Sequence, residues 1–341
     1  MQLSPISVDT KCEILKNLWN LDLIPSQFYD SHFDYEIYFA YYTDQCSLAL
    51  HDGGRHILLR THRDVVDIAS HIKCSLSRED IVQILHSKFP TTLPSSKDML
   101  ANASVDLAAR LLLMMDFGCP QYGFTHQTQI TWATKSLNEA VKEYFSTSSG
   151  PNRGSSQDSM RLERVFSARN LERIAGIQIE WTTNLADHLR LTDEEDKISI
   201  FHYASFLECQ LKSSIFPKGL IEETLQTISL LFPPTEKQTK LWFKTHSSTI
   251  RLDKNALRRE RLKTEDRKIE NLRFWRERLV ILKQFFDDTE PNTLSQWWYD
   301  RRKGVQWYTF WVAVLVLVLT IFFGLIQCIE GALQVYKAFH P

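Results

Sequence analysis

Residues 304–329, GVQWYTFWVAVLVLVLTIFFGLIQCI, form a run of 26 without a charged side chain, and they decide the architecture. A helix needs about 20 apolar residues to cross a hydrocarbon core of roughly 30 Å, so this run is long enough to span with some tilt. Between Phe310 and Ile326, thirteen of seventeen residues are Leu, Ile, Val or Phe. At about -0.3 to -0.6 kcal/mol for each central position, that composition favours insertion by several kcal/mol. Trp297, Trp298, Tyr299, Trp307, Tyr308 and Trp311 crowd one border and Tyr336 stands beyond the other, as interfacial aromatic belts do. The sequence predicts one transmembrane helix over 305–329 and a short tail over 330–341.

Working outward, Arg301, Arg302 and Lys303 precede the segment and only Lys337 follows it. These three basic residues are the topology determinants: the positive-inside bias predicts a cytosolic N-terminal body. The N-terminus lacks a basic start followed by an apolar stretch, which argues against a cleaved signal peptide. The expected arrangement is therefore single-pass and tail-anchored in kind, in the endomembrane system, with the lipid bilayer as a partner. Asn102-Ala103-Ser104 is the one Asn-x-Ser/Thr sequon and would report on that topology. Within the segment, Thr320, Gly324, Cys328 and Ala332 recur every fourth residue, a stripe of small side chains that offers a packing face for a homodimer.

The remaining chain has a globular composition, 43% apolar and 24% charged, with 40 basic against 41 acidic residues. A formal charge of -1 supplies no whole-protein field for nucleic acid, so no nucleic-acid partner is expected. Six scattered cysteines without CxxC spacing fit a reducing compartment and exclude a secreted disulfide scaffold and structural zinc.

The predicted fold class is mainly α with small β elements, α+β, plus the anchor. Residues 1–145 read as a helical domain with a small β-hairpin. Capping-type pairs stand at Thr10/Glu13, Thr61/Asp64, Ser77/Asp80 and Ser95/Asp98, and a further helix is expected from about Ile130 to Phe145. Phe33, Tyr35, Ile37, Phe39 and Tyr41 alternate with period two, and Leu48–Leu50 and Ile57–Leu59 flank Asp52-Gly53-Gly54, a hairpin turn signal. Residues 146–160, with six serines, two glycines and a proline, read as a flexible linker. In the α+β region 161–250, Ile177, Ile179 and Trp181 alternate as in a strand with Ile198-Ser199-Ile200 as a neighbour, while Thr192/Glu195 favours a helix; both alternatives stand. Residues 251–286, with twelve basic and six acidic side chains, read as a charged amphipathic helix. Such a helix is a solvated stalk or domain helix, a partner-binding helix, or a contact for anionic lipid.

Catalytic signatures are sparse. GxxxxGK, GxGxxG, GxSxG and HExxH do not occur, so no cofactor is expected. His51, His56 and His62 cluster around the Asp52 turn but match no metal-site spacing, and no metal is expected; Asp193 to Asp196 lacks the pattern of a calcium loop. Asn184, Asp187, His188 and His202, with Cys209 further along, hold the residue types of a general base and nucleophile; the alternative to an adaptor is thus a membrane-anchored enzyme using His188 and His202. Adjacent Asp187 and His188 fit a structural role better.

Two stretches, FSARNLERIAGIQIEWTTNLADHLRLTDEEDKISIFHYASFL (Phe166–Leu207) and WWYDRRKGVQWYTFWVAVLVLVLTIFFG (Trp297–Gly324), resemble a family of uncharacterised filamentous-fungal proteins. That resemblance implies a cytosolic body with one C-terminal membrane helix and carries over no activity, cofactor or catalytic residue. The expected function is a non-enzymatic adaptor or recognition module with a protein partner.

Overall fold

The N-terminal half contains α1 (Val8–Trp19), α2 (Tyr35–Ala49), α3 (His62–Lys73), α4 (Arg78–Lys88), α5 (Pro94–Leu113) and α6 (Leu137–Ser148), and hydroxyl side chains cap the starts of α1, α3 and α4. The computed structural model describes residues 5–29, 32–89, 94–118, 128–148, 160–192, 196–290, 294–300, 302 and 304–339. At α3 the expected capping box is complete: Asp64 N donates to Thr61 Oγ1 at 3.2 Å and Thr61 N to Asp64 Oδ2 at 2.9 Å. Each such bond satisfies an N–H that the helix leaves orphaned, at a value of about 1 kcal/mol. Ser77 Oγ caps α4 by accepting from Asp80 N at 3.2 Å. At α1 the cap is Ser7, which accepts from Thr10 N, so this helix begins one turn before the Thr10/Glu13 pair. Ser95 falls inside the first turn of α5, and α6 starts at Leu137, where Glu139 Oε2 accepts from Ser136 N and Oγ, rather than near Ile130.

The hairpin expected between α1 and α3 does not form. Phe33 to Tyr41 alternate, but Tyr38 and Tyr42 add apolar side chains between them, and Tyr35, Tyr38, Phe39, Tyr42 and Cys46 fall at helical spacing on one broad buried face, with Thr43, Asp44 and Leu48 exposed on the other. Tyr35, Ile37, Tyr38, Phe39, Tyr41 and Tyr42 are all buried along α2. The hydroxyls of Tyr38 and Tyr41 donate to Leu111 O and Arg110 O at 2.7 and 3.2 Å, and Trp19 Nε1 donates to Leu112 O. Carbonyls of the last turn of α5 thereby gain partners. Asp52-Gly53-Gly54 lies in a short 3₁₀ turn (His51–Gly54), with Gly54 at φ +72° and a hypothetical Cβ only 2.8 Å from Arg60 Nη1.

The second half contributes α7 (Ala168–Ala175), β1 (Gln178–Thr182), β2 (Arg190–Thr192), β3 (Lys197–Phe201), α8 (Ala204–Gln210), α9 (Leu220–Leu231) and α10 (Lys237–Thr249). Residues 177–202 therefore take the strand alternative. β3 is central, parallel to β1 with Ile179 opposite Ile198 and antiparallel to β2 with Leu191 opposite Ile198. Residues 193–195, and with them the Thr192/Glu195 pair, lie outside the described residues, as does most of the expected linker. The two halves share one hydrophobic cluster: Phe206 of α8 packs against Trp19 and Tyr38, ring centroids 5.4 and 6.4 Å away.

Residues 251–286 do not form one helix. Short 3₁₀ turns occupy Lys254–Leu257, Glu265–Arg267 and Ile269–Asn271, and only α11 (Arg276–Asp288) is α-helical. Side-chain acceptors, His202 and Glu223 from elsewhere and Asp253 from within the segment, take N–H groups that a continuous helix would use. Asp253 N donates to His202 Nδ1, Asn255 N to Asp253 Oδ1, and the N–H groups of Arg273, Phe274 and Trp275 to Glu223. Tertiary acceptors prevail over the local helical preference.

A short α12 (Leu294–Tyr299) then leads into α13 (Gly304–Phe339). Its 36 residues rise about 54 Å at 1.5 Å each, so helix continues through most of the segment expected as a tail.

Candidate functional site

The residues with a functional expectation fall into two places, a buried polar centre and the junction of body and anchor.

β3 delivers His202 to the N-terminus of α8, where Asp253 is the hub. Ser205 N donates to Asp253 Oδ2 at 2.6 Å, and Ser205 Oγ and Asn255 N donate to Oδ1 at 3.0 and 2.9 Å. Asn255 Nδ2 donates to Ser205 Oγ at 3.0 Å and to His32 O, while Asp34 N donates to the same hydroxyl at 3.1 Å. With one donor and two acceptor lone pairs, Ser205 Oγ has no capacity left for a substrate. Burial pushes the Asp253 carboxyl up to about 6, against the pull of its hydrogen bonds from Ser205 and Asn255. The arrangement ties the entrance of α2, α8 and the 253–257 turn together. A cavity of about 240 Å³ opens beside it, bordered by Phe33, Glu36, Asn255 and Arg258.

His188 and His202 are both buried, and neither forms a catalytic pair with the groups expected. His188 Nε2 shares a hydrogen bond with Thr227 Oγ1 at 2.8 Å, and its Nδ1 accepts from Phe201 N at 3.2 Å. His202 Nδ1 accepts from Asp253 N at 3.2 Å. Burial, with Arg278 as a second cause at His188, pulls each imidazole down to about 3, so both are neutral at pH 7. Asp187 faces away from His188: Asn184 Nδ2 and Thr128 N donate to it, and Arg190 Nε lies 3.2 Å from it. Burial raises the Cys209 thiol to about 12, opposite to what an activated nucleophile requires. His62 Nδ1 meets Tyr42 Oη at 3.0 Å.

At the junction, α13 contains a 33-residue stretch, Trp307–Phe339, apolar enough to cross a membrane, and its most apolar window is wholly unburied by the body. A soluble core helix of this composition would be covered. α12 folds back along the start of α13: Trp297 stacks on Phe310 at 4.5 Å and Trp298 meets Trp311 edge-on at 4.9 Å. Arg302 reaches back to the body. Its Nη2 donates to Asp300 Oδ2 at 2.7 Å and to Thr289 O at 2.9 Å, and its guanidinium lies 4.6 Å from the Phe286 ring centroid. Of the three expected topology determinants, Arg302 is thus paired with Asp300, while Arg301 and Lys303 lie outside the described residues.

Thr320, Cys328 and Ala332 are exposed along one side of α13 with Gly324 half-buried between them, and a Cβ on Gly324 would meet nothing within 4 Å. Thr320 Oγ1 donates to Val316 O at 2.8 Å.

Glu223, Ser205, Asp253 and Asn255 were not singled out by sequence. Asp-x-Asn at 253–255 carried the available signal, a side chain positioned to cap the turn that follows it. Glu223 left none, because its three partners are about fifty residues away. No family model, no curated protein and no solved structure matches the chain.

Proposed function

We propose that the chain is a single-pass membrane protein of the tail-anchored kind, whose body faces the cytosol and recognises a protein partner without itself catalysing a reaction. The observation that carries this reading is the bare apolar face of α13, joined to a well-packed body by the Trp297/Phe310 and Trp298/Trp311 contacts and by Arg302. Three features support the non-catalytic part: a saturated Ser205 hydroxyl, imidazoles kept neutral by burial, and a Cys209 thiol raised by it. The basic residues before α13 support the cytosolic side, and an endomembrane address is part of the same proposal. Kinship with the filamentous-fungal family is part of the same proposal. So is dimerisation through Thr320, Gly324, Cys328 and Ala332, where close packing rather than apolar area would supply the attraction.

Proximity labelling in cells, paired with mass spectrometry of small molecules retained by the detergent-purified chain, tests this reading. A reproducible protein neighbour lost on deleting the body supports it. A stoichiometric small-molecule substrate that the purified chain converts overturns it.

A further inference from the structure

A second cavity, of about 400 Å³, lies where the start of the second half meets the 258–267 loop, within the size range of small-ligand pockets. Chain pairing assembles it: Leu162 N donates to Arg267 O at 2.9 Å and Ile269 N to Met160 O at 3.0 Å, holding residues 160–164 along 267–269. Arg164, Arg261 and Arg267 line it, with Asn170 and Ser229 among the polar groups. Arg267 is 9% exposed, and its Nη1 donates to Glu163 O at 3.0 Å. Among the described residues, no carboxylate lies within ion-pair distance of Arg164, Arg261 or Arg267. The one acidic side chain in the lining, Glu236, is already engaged by Thr239 Oγ1 at 2.7 Å and by Arg169 at 3.6 Å.

Burial first, and then the charges of Arg164, Arg161 and Arg261, pull Arg267 below its ordinary range. Four guanidiniums at close quarters repel, and a buried one without a counter-charge is costly. An anion in the cavity removes both penalties. Guanidinium presents planar, forked donors that match phosphate oxygens two at a time, which makes arginine rather than lysine informative here.

We propose that the cavity bounded by Arg164, Arg261 and Arg267 binds a phosphate group carried by a small molecule or a lipid. The site is independent of the adaptor reading, since its occupancy neither needs nor excludes a protein partner. Two sources share this chemistry. The cavity opens to the aqueous side through Arg164 and Arg261, which are exposed. Its lining also leads toward the anchor: Phe166, two residues beyond Arg164, meets Phe286 edge-on at 5.7 Å, and that ring carries the guanidinium of Arg302.

The test uses the full chain in detergent micelles, titrated calorimetrically with sodium pyrophosphate and, separately, with dioctanoyl phosphatidylinositol 4-phosphate. Saturable binding of pyrophosphate identifies a soluble source, and binding of the lipid alone identifies a headgroup. In either case the double variant Arg164→Gln/Arg261→Gln should weaken affinity at least tenfold, as expected from losing charge-assisted hydrogen bonds. Both arginines are exposed, so the variant keeps the core intact. Lys263→Gln, in the same loop but outside the lining, should change affinity less than twofold. The site is overturned by an absence of saturable heat with both probes, by an unchanged affinity in the double variant, or by an equal loss in Lys263→Gln.

Discussion

His188 and His202 make the stability of the body depend on pH. Each is held at about 3 in the fold, against roughly 6.5 for an exposed imidazole, so the unfolded chain binds more protons between those values. Their contribution is fully present above pH 6.5 and is lost as pH falls toward 3. At pH 5 the loss is roughly 2 kcal/mol per histidine relative to pH 7. Asp253 acts in the opposite sense: raised to about 6, it retains a proton in the fold that the unfolded chain releases, which offsets roughly 1 kcal/mol at pH 5. The histidines prevail, and thermal unfolding of the detergent-solubilised chain should show lower stability at pH 5 than at pH 7. In His188→Gln that difference should shrink by about two-thirds; an equal pH response in both proteins would contradict the neutral, buried assignment. Glu223 offers a second check. Its carboxylate accepts from three successive N–H groups at 273–275, and Glu223→Ala should cost about 3 kcal/mol in denaturant unfolding through unsatisfied buried donors. A cost below about 0.5 kcal/mol would show that water replaces the carboxylate. The sequon is informative in a different way: Asn102 lies within α5, its Nδ2 donating to Asp98 O and its Oδ1 accepting from Arg78 Nε, while Ser104 is fully buried. Folded protein does not offer this asparagine to a transferase on either side of a membrane.

Among the elements, legibility followed the range of the interaction that forms each one. Thr61/Asp64 and Ser77/Asp80 cap their helices through bonds three residues apart, so short sequence windows contain the whole cause. β1 and β3 were visible as alternation, although only their pairing across the sheet removed the helix alternative. The alternation at Phe33–Tyr41 does not mark a strand, because the broad buried face of α2 is set by partners such as Leu111 and Phe206, which no local period encodes. The 251–286 segment was misread for the same reason, with Glu223 and His202 supplying acceptors from afar. Of the candidate site, the anchor was legible from composition alone, whereas the Asp253 centre required the fold. α13 carries its own prediction. Gly324→Ile places a branched side chain at the middle of the small-residue stripe, in open space that tolerates it within one chain. Cross-linking in membranes should fall several-fold with Gly324→Ile and persist with Ile326→Leu, on the opposite side of the helix; equal yields in wild type and Gly324→Ile would remove this face as a dimer contact.

For the molecule as a whole, a shared hydrophobic cluster unites both halves of the body, and α12 with Arg302 fixes the base of α13 against α11. A boundary for removing the anchor follows from those contacts: a chain ending at Lys303 keeps α12, Asp300 and Arg302, whereas one ending before Trp297 strips the Trp297 and Trp298 rings from the junction. Orientation is best reported from the far end, by an Asn-Ser-Thr extension after Pro341 carried on a spacer of about 15 residues. A cytosolic body sends that extension to the lumenal side, where it should gain a glycosidase-sensitive mass; absence of the shift, with glycosylation of an equivalent N-terminal extension, would invert the topology. The central claim, that α13 alone holds this protein in a bilayer, is tested most directly by alkaline carbonate extraction of membranes from cells expressing the full chain or the chain ending at Lys303. The full chain should remain in the pellet and the shortened chain should move to the supernatant as folded protein. Release of the full chain, or retention of the shortened one, would contradict the claim.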